Sequence, residues 1–98
     1  MPVYVDDMYR YPMGRFRRMK MSHMMADSRD ELLAMADLIG LDRAWLQNAG
    51  QGRDREHFDV SLAYRRKAVA AGAIEVSMTE LARIRRTWRQ ARAGSPSG

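Results

Sequence analysis

Two capping boxes, at Ser28–Glu31 and Ser77–Glu80, mark where two helices begin, and no other feature constrains the fold of this chain as strongly. The first helix is predicted to run to about Gly40, a residue suited to the left-handed turn that ends many helices. Its apolar residues recur at helical spacing, and the second helix carries a narrow apolar stripe with arginines on its other faces. The rest of the chain has to be assigned around these two helices.

Short runs rich in β-branched and aromatic residues predict strands before and between the helices. Val3–Val5 is predicted to be a first strand and Ile74–Val76 a later one. Met19–Met25 alternates apolar and polar residues at first, so it is either a second strand or the start of a helix. Residues 8–18 are predicted to be a loop, and the polar, glycine-containing residues 48–56 an exposed, mobile one.

The segment His57–Val60 has two interpretations, and the sequence leaves both open. In one, Asp59 caps a helix over residues 60–71. In the other, the segment is extended, so that residues two apart lie on the same side and His57 and Asp59 present an imidazole and a carboxylate together.

Strands that alternate with helices favour an α/β fold. We expect a small, mainly parallel three-stranded sheet with about three helices packed on it. With 98 residues the chain is predicted to form a single domain over residues 1–93, followed by a disordered tail at residues 94–98. A homodimer would bury more apolar surface, and the sequence permits one.

The composition excludes several classes of protein. The chain has no cysteine, so disulfides, thiolate metal sites and a cysteine nucleophile are ruled out. No run approaches the roughly 20 apolar residues needed to span a bilayer. Asp6 and Asp7 close to the start argue against a signal peptide, so we expect a cytoplasmic protein without a membrane partner.

The net charge of +5 is distributed unevenly. Residues 1–20 carry +3 and residues 78–98 carry +4, whereas residues 21–60 carry −4. Basic ends around an acidic middle are typical of a protein with an anionic partner, here nucleic acid or a nucleotide. The same pattern is also explained by a surface that only keeps the protein soluble.

Acids and histidines supply the candidate metal ligands and catalytic groups. Asp6 and Asp7 follow the first predicted strand, and paired carboxylates suit Mg²⁺ or Mn²⁺ better than Zn²⁺. Each histidine is followed by an acid, His23 by Asp27 and His57 by Asp59. Such pairs either ligate a metal or orient a general base, although caps and buried hydrogen bonds explain them equally well.

Basic residues supply the candidate anion-binding groups. The run Arg65, Arg66 and Lys67 is predicted to clamp a phosphate, unless it forms a solvated helix face. The arginines of the last helix are predicted to contact a nucleic-acid backbone, and they are Arg83, Arg85, Arg86 and Arg89. Trp45 is predicted to stack on a ring in a pocket, unless it packs in the core.

Several fragments in this order resemble a small family catalogued as domain of unknown function 4031. They are Val3–Asp7, His23 with Ala26-Asp27, Glu31-Leu32, Trp45–Gln47, His57–Val60, and Lys67-Ala68 with Ala71–Ala73. The resemblance covers about residues 2–78 and brings no established activity. It implies a recurring polar set of acids, histidines, Trp45, Gln47 and one base from the 65–67 run, which suggests a site, with Gln47 beside Trp45 in its pocket.

These observations predict a divalent-metal-dependent hydrolase or nuclease that acts on a phosphate-containing substrate. Its catalytic residues would be His23, His57 and Asp59, with Asp6, Asp7 and Asp27 as metal ligands. The alternative is a non-enzymatic nucleic-acid-binding or regulatory module that uses the basic C-terminal helix. A third interpretation is an interaction protein that presents methionine-rich and tryptophan surfaces to a partner chain.

Overall fold

The computed structural model of the protein describes residues 2–93, so the tail predicted at residues 94–98 lies outside the described residues. Three helices pack on a five-stranded mixed sheet. An α/β fold is therefore confirmed. Within residues 2–93, no helix is both long and apolar enough to cross a membrane.

The sheet is larger than predicted and is not mainly parallel. Its strands are β1 (Val3–Val5), β2 (Arg15–Phe16), β3 (Met19–Ala26), β4 (Phe58–Ser61) and β5 (Ile74–Glu75). The long strand β3 pairs antiparallel with β1, β2 and β4, and among residues 2–93 only the pair β1–β5 is parallel. The prediction of a mainly parallel three-stranded sheet was wrong because no α-helix lies between β1 and β3. Without a crossover, the chain turns back and the two strands pair antiparallel.

The helices are α1 (Arg29–Ile39), α2 (Leu62–Ala70) and α3 (Met78–Ala93). Both capping boxes are confirmed: the Glu31 amide donates to the Ser28 hydroxyl at 3.2 Å, and the Glu80 amide donates to the Ser77 hydroxyl at 3.0 Å. Gly40 ends α1 at a φ of 87°, a left-handed conformation that glycine adopts without strain.

Two loops have more structure than predicted. Residues 8–18 contain two short 3-10 turns, Met8–Arg10 and Pro12–Gly14, followed by β2. The segment 48–56 is not wholly exposed, because its acids Asp54 and Glu56 are buried.

The segment around Asp59 forms strand β4, so the helix predicted over residues 60–71 begins later, at Leu62. Its N-cap is Ser61, not Asp59. Phe58 and Val60 are buried and alternate with partly exposed neighbours, the pattern of a strand with one face in the core. Met19–Met25, which the sequence left between strand and helix, lies within strand β3.

The two faces of the sheet are covered differently. Helices α1 and α2 cover one face over a large apolar core that includes Val5, Met24 and Phe58. Helix α3 covers part of the other face through a smaller cluster of Met25, Leu81 and Trp88. The polar residues described next lie on this second face.

Candidate metal site

Strand register places Asp6, His23 and Asp59 in one row across the second face of the sheet. The Asp6 amide, just past β1, donates to the His23 carbonyl at 3.1 Å, and His23 pairs directly with Asp59 across β3 and β4. Residues opposite each other on paired strands point to the same face. Their sequence neighbours Val5 and Met24 point to the opposite face and are buried in the main core.

His57 joins this row from the approach to β4. It lies two residues before Asp59 and therefore faces the same side, and its backbone forms a bridge with Gln47. His23, His57 and Asp59 each offer one ligand atom, and these atoms lie within 4.8 Å of one another. The two imidazole rings meet edge to face with centroids 5.3 Å apart. Two imidazoles and a carboxylate therefore lie close enough together to be candidate ligands of one cation.

The buried carboxylate of Asp6 fixes the orientation of His23. Its Oδ2 is 2.7 Å from His23 Nδ1, and its Oδ1 accepts the backbone amides of Met8 and His23. Burial opposes the ionisation of Asp6, but these hydrogen bonds hold its pKa below the ordinary value. As a carboxylate, Asp6 accepts the Nδ1 proton, which leaves Nε2 as the nitrogen that can coordinate a metal.

The same hydrogen bond raises the pKa of His23. Its effect and the negative charges of Asp6 and Asp59 outweigh burial and the positive charge of Arg85, both of which lower the pKa. A cation that binds the His23 nitrogen must therefore compete with a proton held more firmly than on an ordinary histidine.

A backbone carbonyl fixes the orientation of His57 in the same way. Its Nδ1 lies 2.8 Å from the carbonyl oxygen of Arg55, and a carbonyl can only accept. Nδ1 therefore carries the proton, and Nε2 offers its lone pair 3.6 Å from Asp59 Oδ1. The other oxygen of Asp59 accepts a 2.6 Å hydrogen bond from Gln47 Nε2. All three donors are thus oriented by a second group, as metal ligands in proteins usually are.

The three donors remain accessible to solvent. Their side chains are 30%, 16% and 34% exposed for His23, His57 and Asp59. An apolar cleft of about 770 Å³ opens beside them, and Asp59, Gln47 and Trp45 all line it. A molecule in the cleft would have direct access to the donor cluster.

Residues 3–88 match the family described as protein of unknown function (DUF4031). The match covers most of the chain. The chain belongs to this family. No curated protein and no solved structure matches the chain significantly.

The structure of this DUF4031 protein brings together some of the sequence-predicted site residues. His23, His57 and Asp59, predicted as catalytic, supply the converging donors. Asp6, predicted as a metal ligand, instead accepts a hydrogen bond from Nδ1 of His23 and orients that ring. The predicted pocket residues Trp45 and Gln47 line the adjoining cleft.

The two other predicted metal ligands, Asp7 and Asp27, make different contacts. Asp7 Oδ1 accepts the Met78 amide at 2.9 Å and so supports the start of α3. The Asp27 carbonyl accepts a hydrogen bond from Arg53. Neither Asp7 nor Asp27 contributes to the group of donors that converges among the described residues.

The basic run predicted to hold phosphate does not act as a unit. Arg65 is buried, donates to the Asp6 carbonyl at 2.9 Å and pairs with Glu75 at 2.8 Å. It therefore links α2 to β5 and to the residue that follows β1. Arg66 and Lys67 are exposed, and the Lys67 ammonium lies over the Tyr64 ring.

Most of the arginines of α3 bind other residues of the protein. Arg85 donates to the Asp54 carbonyl at 2.8 Å, and Arg89 and Arg92 pair with the buried Asp54 carboxylate. Arg83 and Arg86 are exposed. Nucleic-acid binding by this helix stays a prediction.

Two parts of the site were missed in the sequence. The Arg55 carbonyl gives no side-chain signal, since any residue could supply it. The cleft lining did leave a signal, because Met8, Met13, Phe16, Met19 and Met21 crowd one short stretch of the chain.

Proposed function

We propose that this DUF4031 protein is a divalent-metal-dependent hydrolase of a phosphate-containing substrate, with the metal held by His23, His57 and Asp59. One observation carries the proposal. Both imidazoles have their Nδ1 committed to an acceptor, so Nε2 is the nitrogen that remains to ligate on each ring, and one donor atom from each of His23, His57 and Asp59 lies within 4.8 Å of the others.

The donor set points to the class of metal. The sequence alone favoured Mg²⁺ or Mn²⁺ because it suggested carboxylate ligands. Two imidazoles and one carboxylate suit Zn²⁺ better, and catalytic zinc sites commonly keep three protein ligands and one open position. We therefore expect Zn²⁺ to bind more tightly than Mn²⁺, and Mn²⁺ more tightly than Mg²⁺.

The surrounding residues suit hydrolysis of a phosphate ester. A divalent ion at this point would activate water and stabilise the charge that develops on the phosphoryl oxygens. Asp6 and Gln47 keep the ligands oriented, and the partial exposure of the site admits water and substrate. The positive charge of Arg85 acts on His23 and would attract an anionic substrate towards the site, while its Nε stays bonded to the Asp54 carbonyl.

Metal binding is the first test. Chelator-stripped protein would be titrated with Zn²⁺, Mn²⁺ and Mg²⁺ in a calorimeter, together with His57→Gln and Asp59→Asn. The control is Asp37→Asn, which removes an exposed carboxylate from a surface ion pair with Arg43. We expect one Zn²⁺ per chain in the wild type and control, and binding at least tenfold weaker in the two site variants. Equal affinity in all four proteins would contradict the proposed site.

Hydrolysis is the second test. The zinc-loaded protein would be incubated with bis(p-nitrophenyl) phosphate, and release of p-nitrophenolate would be followed by absorbance. We expect a rate that requires Zn²⁺ and is lost in His57→Gln but not in Asp37→Asn. Zinc binding without zinc-dependent hydrolysis of phosphate esters would leave a metal site and remove the proposed activity.

A further inference from the structure

The cleft beside the donor cluster is built mainly from apolar side chains. We call it the apolar cleft, and its lining includes Met8, Met13, Phe16, Met21, Trp45 and Tyr64. Asp59 and Gln47 lie at its polar end, and Asp59 is also one of the three donors. The cleft and the candidate metal site are therefore continuous.

One wall of the apolar cleft is a segment with regular secondary structure. Residues 8–16 fold back over β3 through two 3-10 turns and strand β2. At Gly14 a Cβ atom would stand 2.1 Å from the Met8 carbonyl oxygen, so the backbone approaches closer than any other residue would allow. This close approach holds Met8, Met13 and Phe16 along one side of the cleft.

The apolar cleft exposes hydrophobic surface that a folded domain normally covers. Met13 is 71% exposed, Phe16 63% and Trp45 55%. The volume of about 770 Å³ falls within the range of roughly 300–1,000 Å³ typical of pockets for small molecules. Methionine side chains adapt to ligands of different outline, and exposed aromatic rings stack on flat ones.

We infer that the substrate of this site is a small aryl phosphate, whose aromatic ring would lie in the apolar cleft and whose phosphate would reach the metal held by His23, His57 and Asp59. This inference rests on the proposed function. In the reaction, the oxygen of water forms a new bond to phosphorus as the bond from phosphorus to the aryl oxygen breaks. The aryl oxygen leaves with a proton as a phenol, and inorganic phosphate remains.

The lining favours a small molecule over a nucleic-acid strand. Proteins that bind single strands combine stacking rings with a basic groove along the backbone. Here the only charged side chains among the lining residues described are Arg15 and Asp59. The arginines Arg85, Arg89 and Arg92 are instead bound to Asp54.

Binding of non-hydrolysable probes tests the inference apart from catalysis. Naphthylphosphonate and methylphosphonate would be titrated into zinc-loaded protein by calorimetry. We expect naphthylphosphonate to bind at least tenfold more tightly, and Trp45→Ala to remove about tenfold of its affinity while leaving Zn²⁺ binding unchanged. The control is Leu38→Ala, which deletes a side chain that is 69% exposed on α1.

The possible results separate the two proposals. If zinc binds but the two phosphonates bind equally, the aryl inference is wrong and the metal proposal stands. If zinc does not bind, the proposed function fails by itself, whatever the probes do. If a single-stranded oligonucleotide binds more tightly than naphthylphosphonate and loses affinity in Trp45→Ala, the cleft serves nucleic acid and the inference is overturned.

Discussion

Two acceptors outside the donor cluster decide which nitrogen each histidine presents. The Asp6 carboxylate takes the Nδ1 proton of His23, and the Arg55 carbonyl takes that of His57. On each ring, Nε2 is therefore the nitrogen left for a metal even before any metal is bound. Such orientation lowers the free energy needed to assemble a metal site, because little rotational freedom remains to be lost on binding.

Gln47→Leu is expected to weaken Zn²⁺ binding by about 10- to 100-fold, the usual effect of removing a partner of a metal ligand. The amide of Gln47 donates to Asp59 Oδ2 at 2.6 Å and fixes the rotation of that carboxylate. Calorimetric titration measures the change, with Gln90→Leu, an exposed position on α3, as the control. An unchanged affinity in Gln47→Leu would show that Asp59 needs no orientation from this amide.

The ion pair of Asp6 and His23 predicts how stability depends on pH. Because the pKa of His23 is raised above its ordinary value of 6.5 in the folded protein, its stabilising effect is complete below about pH 6.5 and is lost as the pH rises through the raised value. The pKa of Asp6 is lowered, so its contribution is lost only as the pH falls through that lowered value, well below pH 6.

Asp6→Asn is therefore expected to lower the free energy of unfolding of chelator-treated protein by about 1–3 kcal/mol, and by more at pH 6 than at pH 9. Urea unfolding at the two pH values measures both effects. Asp37→Asn, at an exposed ion pair, should change little at either pH. A loss that is equal at pH 6 and pH 9 would mean that the charge of His23 does not contribute.

Among the secondary-structure elements, those with local signals were predicted and those set by pairing were not. The helices α1 and α3 were predicted because Ser28 and Ser77 cap them within four residues of sequence. Strand β4 was only one of two interpretations of His57–Val60, because Asp59 carries a helix-capping signal that the pairing of Phe58 and Val60 with β3 overrides. Antiparallel pairing of β1 with β3 depends on the path of the chain between them, which no local pattern encodes.

The segment 48–56 is held by two buried acids, although it contains no helix or strand. Asp54 is bound by arginines of α3, and Glu56 accepts hydrogen bonds from Arg29 and the Gly50 amide. Glu56 directly precedes His57, so these ion pairs also position a candidate ligand. An exposed, glycine-containing sequence thus becomes an ordered support because charged partners from two helices reach it.

Arg92→Gln is expected to loosen this segment, whereas Arg86→Gln is not. Both changes remove one positive charge from α3, but only Arg92 donates to Asp54 and to the Gln51 carbonyl. Trypsin cleavage after Arg53 and Arg55 reports the loosening, since cleavage needs local opening of the chain. We expect cleavage several-fold faster in Arg92→Gln than in the wild type. Equal cleavage rates in Arg92→Gln and Arg86→Gln would show that faster cleavage comes from the lost positive charge and not from the lost contacts of Arg92 with Asp54 and Gln51.

At the scale of the whole molecule, the candidate site lies where three separate parts of the chain meet. The sequence indicated His23, His57 and Asp59 because each histidine precedes an acid. It could not show that His23 pairs with Asp59 and not with Asp27, because register across β3 and β4 is a property of the folded sheet. The structure therefore keeps most of the predicted site residues together, but it pairs His23 with a different acid.

A metal bound at this junction should stabilise the fold as a whole. The candidate ligands from β3, β4 and the approach to β4 come together only in the native sheet, so an ion held by all three would bind the folded protein in preference to the unfolded chain. At a free concentration 100 times Kd, such binding adds about 2.7 kcal/mol. For a domain of this size, each kcal/mol raises Tm by roughly 4–8 °C. We therefore expect Zn²⁺ to raise Tm by about 10–20 °C.

His57→Gln separates this effect from general stabilisation by zinc. The His57 side chain is partly exposed and its ring hydrogen-bonds to a local carbonyl, so metal-free His57→Gln should melt within a few degrees of the wild type. Differential scanning calorimetry with increasing Zn²⁺ should then show Tm rising with the logarithm of concentration in the wild type alone. A parallel rise in His57→Gln would place the zinc elsewhere on the surface. No rise in either protein would contradict a zinc site at His23, His57 and Asp59.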